Sequence, residues 1–438
     1  MRRVLLLPAI ATTLSISTAQ AQWVQGGLFS TSLHFQAAAF HTPDIGLFAY
    51  GADNPFQGEG GLIRTDDGAT SGGFYVWYAS PGNLEDIDVR EVNGWPYYMA
   101  AGHYQYNQGL VVRQNPQYIN IFQFDSVRTG SGKYYRAIRM RSDLVAFAGG
   151  GDQLGNGRID MSTDTGATWM NIAQFLGQPV SRLHFVNDQL GFAATGGYKR
   201  NLGNTVVLPD SGAIYRTTDG GLNWLKVHAD PDNGFSDVDF LSTSIGVATR
   251  NDGAILRTTD GGNSWSPATV NQPGQVIMTS VTFRPDGNGF ASCYRTDGTA
   301  GFILFTDDGG ATWDLNFSTA SLNHSRRIYD LYFFDDAHGY ACTHIRPLRS
   351  SGLITDVPEG EDPGFELYPN PAVDEVTLSL AAPGTSDIVV LDAVGRVVWS
   401  AHTSDRSLSI PLNGLAPGSY VVRVVRDGAF RTRTMVRM

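Results

Sequence analysis

The sequence has little cysteine, with Cys293 and Cys342 alone in 438 residues, and little charge, at 17%. Apolar residues at helical spacing are missing after the first 20 positions, which argues against a helical fold. No later stretch is long and apolar enough to span a bilayer, so no transmembrane span is expected. Positive charge is the scarcer sign. The formal net charge is -11, and nucleic-acid binders normally carry a basic domain or stripe, so no nucleic-acid partner is expected. The one locally basic stretch, Arg423 to Arg437, alternates its arginines along a strand, as a solvated sheet face does. Two histidines in separate repeats do not make a metal signature, and neither a metal nor another cofactor is expected.

What is present is glycine (51 residues), aromatic residues (11%) and enough apolar material (42%) for a sizeable core in two or three domains. That mixture fits many short strands joined by tight turns. At the N-terminus Arg2 and Arg3 precede an apolar stretch from Val4 to Ile16, and Ala19-Gln20-Ala21 supplies small residues. Residues 1–21 therefore read as a signal peptide, with Gln22 first in the mature chain.

Four segments share a Ser/Thr-x-Asp-x-Gly-x-x-Trp pattern: Ser162 to Trp169, Thr217 to Trp224, Thr258 to Trp265 and Thr306 to Trp313. A weaker copy, Thr65-Asp66-Asp67-Gly68, lacks the later Gly and Trp. The chemistry of the pattern is structural. Glycine permits a positive φ between two strands. The carboxylates of Asp164, Asp219, Asp260 and Asp308 can accept backbone N–H groups of their own turn. Trp169, Trp224, Trp265 and Trp313 then open the next strand and wedge against a neighbouring sheet, each worth about 3–5 kcal/mol if buried. The aspartates recur about every 50 residues, a period of propellers and solenoids.

Upstream of the corners, apolar–polar–apolar triplets recur seven times, centred on His34, Asp88, Arg139, His184, Asp239, Thr282 and Tyr332. Their polar members read either as a channel ring able to hold an ion or small ligand or as the wall of a hydrated tunnel. Seven units imply seven blades, with six or eight the alternatives. The seventh lacks a fourth strand, and Gln22-Trp23-Val24-Gln25 resembles one, so the N-terminal strand is expected to close the ring. The expected fold is all-β: a seven-bladed β-propeller over residues 22–356, a linker over 357–365, and a small immunoglobulin-like β-sandwich over 366–438.

The second module carries Tyr368-Pro369-Asn370-Pro371, then Asp392-x-x-Gly395-Arg396, then Leu415-x-Pro417-Gly418-x-Tyr420. In that order these motifs resemble the type A C-terminal sorting domain of type IX secretion cargo. The alternative is an ordinary carbohydrate-binding or immunoglobulin-like appendage. The resemblance implies type IX secretion machinery as a partner through residues 366–438, removal of the domain near the linker, and a place outside or on the outer membrane of a Gram-negative bacterium.

The corner pattern itself resembles the Asp-box, or bacterial neuraminidase repeat, of sialidase-like propellers. The size and repeat resemble the photosystem II assembly-factor type. A sialidase would need an Arg-Ile-Pro segment, which is missing here, and the repeat alone transfers no chemistry. No catalytic residue is expected. Loops on the face opposite the corners carry Tyr198, Lys199, Arg200, His228, Arg250, Arg295, His344 and Arg346 as binding candidates for an extracellular glycan or protein. The alternative is a glycoside hydrolase of the sialidase-like superfamily. Cys293 and Cys342 occupy equivalent second strands one repeat apart and on opposite faces, which reads as an inter-blade disulfide or as two buried thiols.

Overall fold

The computed structural model describes residues 22–27, 34–51, 59–79, 82–92, 94–105, 107–115, 122–142, 144–197, 200–202, 205–207, 211–271, 274–320, 322, 327–344, 346–351, 365–380, 385–391, 397–426 and 429–437. The signal-peptide segment, Tyr198, Lys199 and most of the linker lie outside these residues, and only the backbone of Arg200 is described. The chain divides into two compact units, residues 1–353 and 354–438. No helix among the described residues is long and apolar enough to cross a membrane.

The first unit is a seven-bladed propeller. Six blades are four-stranded meanders in chain order, from His34–Phe40 through Phe74–Ala79 in blade 1 to Val276–Phe283 through Thr312–Ser318 in blade 6. Blade 7 takes Ile328–Phe333, Gly339–Thr343 and Leu348–Ser351 from one end of the chain and Gln22–Gln25 from the other. Gln22 pairs with Ser351 and Gln25 with Leu348, so the N-terminal strand does close the ring. Trp23 seals it: its indole is buried edge-on against Phe290 and Phe333 and donates to Asn316 Oδ1 at 3.1 Å. The apolar residues sort into clusters between neighbouring blades, as expected where each sheet buries both faces.

At each corner one hydroxyl and one carboxylate satisfy the turn. Thr217 Oγ1 donates to Asp219 Oδ1 at 2.8 Å and accepts the Gly221 N–H at 2.9 Å, while Asp219 accepts Asn223 N–H at 2.9 Å and its amide at 2.7 Å. Ser162–Asp164, Thr258–Asp260 and Thr306–Asp308 repeat this arrangement. Hydrogen bonds from Asn223 and Ser264 hold Asp219 and Asp260 down at about 2, and at Asp164 desolvation is outweighed by the combined bonds from Thr168, Ser162 and Ala167, which hold it at about 2 as well. The weak copy folds the same way: Ala69 N–H donates to Thr65 Oγ1 at 2.8 Å, with Ala69 at φ 62° where the others have glycine.

Corner carbonyls also bind the preceding blade. Arg113 and Tyr97 both donate to Thr165 O at 3.0 Å, Arg141 to Gly220 O at 2.8 Å, and Arg257 to Gly309 O at 2.8 Å. Thr165 itself sits at φ 56°, an unfavourable place for a β-branched residue. Thr165→Gly is expected to raise stability by roughly 0.5–1 kcal/mol, since relieved strain outweighs the added backbone entropy. Urea titration against the parent protein checks it.

Blade 5 departs from the pattern. Its fourth strand is only Ser266–Pro267, and Ala268 N–H makes the last bond across the ladder, to Ile255 O at 2.9 Å. The chain then crosses to the next blade, where Thr269–Val270 adds in parallel to the outer edge of Thr312–Ser318.

The two cysteines are free and buried, the second of the two readings, and no disulfide joins the blades. Their strands do face opposite ways, but away from the seam they would have to share. Cys293 packs with Val247 and Ile255 toward blade 5, and Cys342 with Phe35 and Phe48 toward blade 1. Burial pushes the Cys293 thiol up to about 12 and raises Cys342 as well.

The second unit is an immunoglobulin-like sandwich. One sheet orders Phe365–Tyr368, Glu375–Leu380 and Ser407–Pro411, and the other holds Ser386–Leu391 between Val397–Thr403 and Gly418–Arg426, with Ala429–Arg437 outermost. Leu378, Val390, Ile410, Val422 and Met435 fill its core. Asn370 Oδ1 accepts Val436 N–H at 2.8 Å, and Tyr420 donates to Ala416 O at 2.7 Å, so two of its sequence motifs serve as internal ties.

Candidate functional site

Every inner strand of the propeller carries a register shift near its start, between Phe35 and Ala37 in blade 1, Leu84 and Asp86 in blade 2, and Val180 and Arg182 in blade 4. The same shift falls at Tyr135/Ala137, Phe235/Asp237, Met278/Ser280 and Ile328/Asp330. Aligned on this bulge, Ala37, Asp86, Ala137, Arg182, Asp237, Ser280 and Asp330 are equivalent around the axis. Two residues further come Ala39, Asp88, Arg139, His184, Asp239, Thr282 and Tyr332. The ring read from the triplets is therefore correct in six blades. In blade 1 its member is Ala39, and His34 lies at the other end of the strand, its Nδ1 3.0 Å from the Tyr329 hydroxyl.

Arg182 is the centre of the axis. Its Nη2 lies 2.5 Å from Asp330 Oδ1, its Nη1 3.2 Å from Asp86 Oδ1, and its Nε 3.7 Å from Asp237 Oδ2. One guanidinium from blade 4 thus holds carboxylates of blades 7, 2 and 5. Ser280 of blade 6 donates to Asp330 at 2.8 Å, and Arg139 of blade 3 meets Asp86 at 2.5 Å. All of these are buried or half-buried. Burial, only partly offset by Arg182, raises Asp330 to about 6 and also raises Asp237. Burial raises Glu85 likewise, against the pull of Arg136 and Arg182.

The same carboxylates hold the blades in register. Inner strands of adjacent blades do not pair, which leaves their N–H groups needing partners. Asp86 and Asp88 accept Ile138 and Met140 N–H at 2.9 and 2.8 Å, while Asp237 and Asp239 accept Val281 and Phe283 N–H at 3.0 and 2.7 Å. The signal was present in the sequence as Asp86-Ile-Asp88 and Asp237-Val-Asp239. Arg182 was missed because it lies two residues before His184, outside the triplet used to find the ring.

Of the predicted loop residues, His228 and Arg250 share Asp230 as a neighbour. Arg250 is held at 2.5 Å by Asp230 and also by Asp252. His228 is half-buried, edge-on to Phe235, and burial lowers its pKa. Arg295 is exposed and lies over the Phe302 ring at 5.6 Å. His344 packs against His34 with ring centroids 4.1 Å apart, and Arg346 N–H donates to the His344 carbonyl at 2.9 Å. Arg200 begins a two-stranded ribbon, Arg200–Leu202 with Thr205–Val207. Among the described residues no group of three metal-ligating side chains comes together.

Residues 366–437 match the family described as the secretion system C-terminal sorting domain. No curated protein matches the chain. Among solved structures, a YCF48 bound to D1 peptide aligns at 15% identity with a TM-score of 0.51, covering 76% of this chain and 99% of that one. YCF48 from Cyanidioschyzon merolae aligns at 13% and 0.52, covering 76% and 99%, and the WD40 β-propeller domain of Doa1 at 8% and 0.50, covering 76% and 95%. These likenesses show the fold. The sorting domain marks the chain as type IX cargo, secreted or held at the cell surface.

Proposed function

We propose that the propeller is a non-catalytic binding module, delivered outside the cell, which meets an extracellular protein or glycan through the face opposite its corners. The observation that carries this reading is the internal neutralisation of the axis. Arg182 and Arg139 are committed to Asp86, Asp237 and Asp330, and those carboxylates are committed in turn to backbone N–H groups and Ser280. Charges used in this way make a rigid platform and leave none of these three acids free for a substrate. A single propeller of similar fold that grips a peptide, the YCF48 bound to D1 peptide, supports the reading by analogy.

A hydrolase is favoured by one observation only: three acids with raised pKa, Asp330, Asp237 and Glu85, lie near the axis. A glycan array and a glycosidase substrate panel on the secreted chain separate the two. Binding without turnover is expected, weakened by Arg295→Ala. Turnover abolished by Asp330→Asn or Glu85→Gln in a protein that still folds would replace the proposal with the hydrolase.

A further inference from the structure

The sorting domain keeps its apolar side chains inside, with one exception. Phe365, Leu367, Ala372 and Val376 alternate into its core, as strand periodicity requires. Among the described residues of the second unit, the exposed large apolar side chains are Tyr368 and Val373, at 77% and 53%. They flank Pro369-Asn370-Pro371, whose residues are all exposed. Four apolar residues within six positions thus form one ridge, Tyr368, Pro369, Pro371 and Val373. Apolar residues scattered singly over a surface need no explanation, whereas a contiguous group marks a contact.

The surroundings present this ridge and hold it still. Tyr368 lies opposite Thr377, and Thr377 opposite Ser409, so the ring shares its sheet face with small hydroxyl side chains that cannot cover it. The backbone beyond is clamped to the last strand by two bonds, Val436 N–H to Asn370 Oδ1 at 2.8 Å and Ala372 N–H to Val436 O at 2.9 Å. Pro369 and Pro371 fix their own φ angles between and beside those clamps. A ridge held in this way loses little conformational freedom when something binds it. The motif residues therefore divide by task. Asn370 is a tie, and Tyr420 is a buried tie to Ala416 O, but Tyr368 supports nothing inside the domain that its exposure would serve.

We infer that the ridge from Tyr368 to Val373 is the surface by which the secretion machinery reads this domain, through an apolar groove on one of its components. The match of residues 366–437 to a secretion-system sorting domain supplies the occupant, since such a domain exists to be read. The ridge is where its apolar surface is left uncovered. Tyrosine is a common anchor of protein contacts, and exposed proline-rich ridges suit grooves lined with aromatic side chains. The basic last strand is the weaker candidate: Met435 on it faces the core, and Arg433, two residues away, shares that face at the margin of the sandwich. The inference concerns the second unit alone and stands if the propeller binds nothing.

Export of the full chain from a bacterium with a type IX system tests it, read as the share of the chain outside the cell against the share in the periplasm. Tyr368→Ser combined with Val373→Ser should cut the external share about tenfold, the scale of losing a docking anchor. The purified double variant should unfold at the parent's temperatures, because neither side chain is buried. Tyr368→Phe keeps the ring and should be exported like the parent. So should Tyr75→Ser combined with Tyr78→Ser, which removes two exposed tyrosines from the propeller instead. Normal export of the Tyr368/Val373 variant would overturn the inference, as would retention of the Phe variant, which would make the hydroxyl the feature read. An equal loss in the propeller variant, or a lowered unfolding temperature in the retained one, would overturn it too, by tracing the defect to general exposure or to folding.

Discussion

Replacing Arg182 by methionine should destabilise the propeller by about 3–5 kcal/mol at neutral pH, because it leaves buried carboxylates without their counter-charge. Methionine keeps most of the stem volume, so lost charge dominates the effect. Asp86 retains Arg139, but Asp237 and Asp330 lose their one close cation among the described residues. Urea titration measures the loss, and its pH dependence identifies the cause. The folded pKa of Asp330, about 6, lies above the ordinary 3.8, so between those values the folded state holds more protons than the unfolded one. Stability from this group therefore rises as pH falls through that window. Without Arg182 the acids should titrate higher still, and the deficit should shrink markedly between pH 8 and pH 5, as the carboxyl groups protonate. Below about pH 4 the corners take over with the opposite sign: Asp164, Asp219 and Asp260, held at about 2, lose their contribution as they protonate. A deficit equal at both pH values would mean that Arg182 acts through packing alone. Adding Asp330→Asn to the Met variant should restore part of the loss.

The residues that made the propeller legible are those whose chemistry is tied to a fixed offset. A corner needs its hydroxyl, its carboxylate and a left-handed residue at set spacings, so four copies stand out and even the degenerate Thr65–Asp67 copy forms. The strand around Trp23 could be assigned to blade 7 because it carries a corner tryptophan without a corner before it. The ring was harder to read, because its polar members are not tied to a fixed offset. Blade 1 has an alanine, Ala39, at the ring position, so His34 five residues earlier stood in for it, and Arg182, two residues before His184, fell outside the triplet that marks the ring. The cysteines show a related limit. Their parity was right, but parity does not say which of two faces meets which neighbour.

Among the four corner tryptophans, Trp313→Ala should be the most damaging, at about 3–5 kcal/mol, with Trp169, Trp224 and Trp265 costing less. The sequence pattern makes the four equivalent, and the structure does not. Trp313 is fully buried, whereas the other three are half-buried. The difference traces to the short fourth strand of blade 5. After Ala268 the chain crosses the seam, where Thr269 N–H donates to Ala311 O and Asn271 N–H to Trp313 O, at 2.9 and 2.8 Å. Val270 pairs directly with Trp313 and closes over it. The indole then fills the cluster with Val247, Ile255 and Leu304, and its Nε1 donates to Gly310 O at 3.1 Å. Alanine there opens a cavity that the strap and both blades would have to collapse around. The cost should therefore depend on the strap: with Trp313 already Ala, removing the Val270 side chain should cost less than it does in the parent protein. Urea titration of the two single variants and the double variant measures that coupling. Additive losses would mean that the strap merely lies beside the tryptophan.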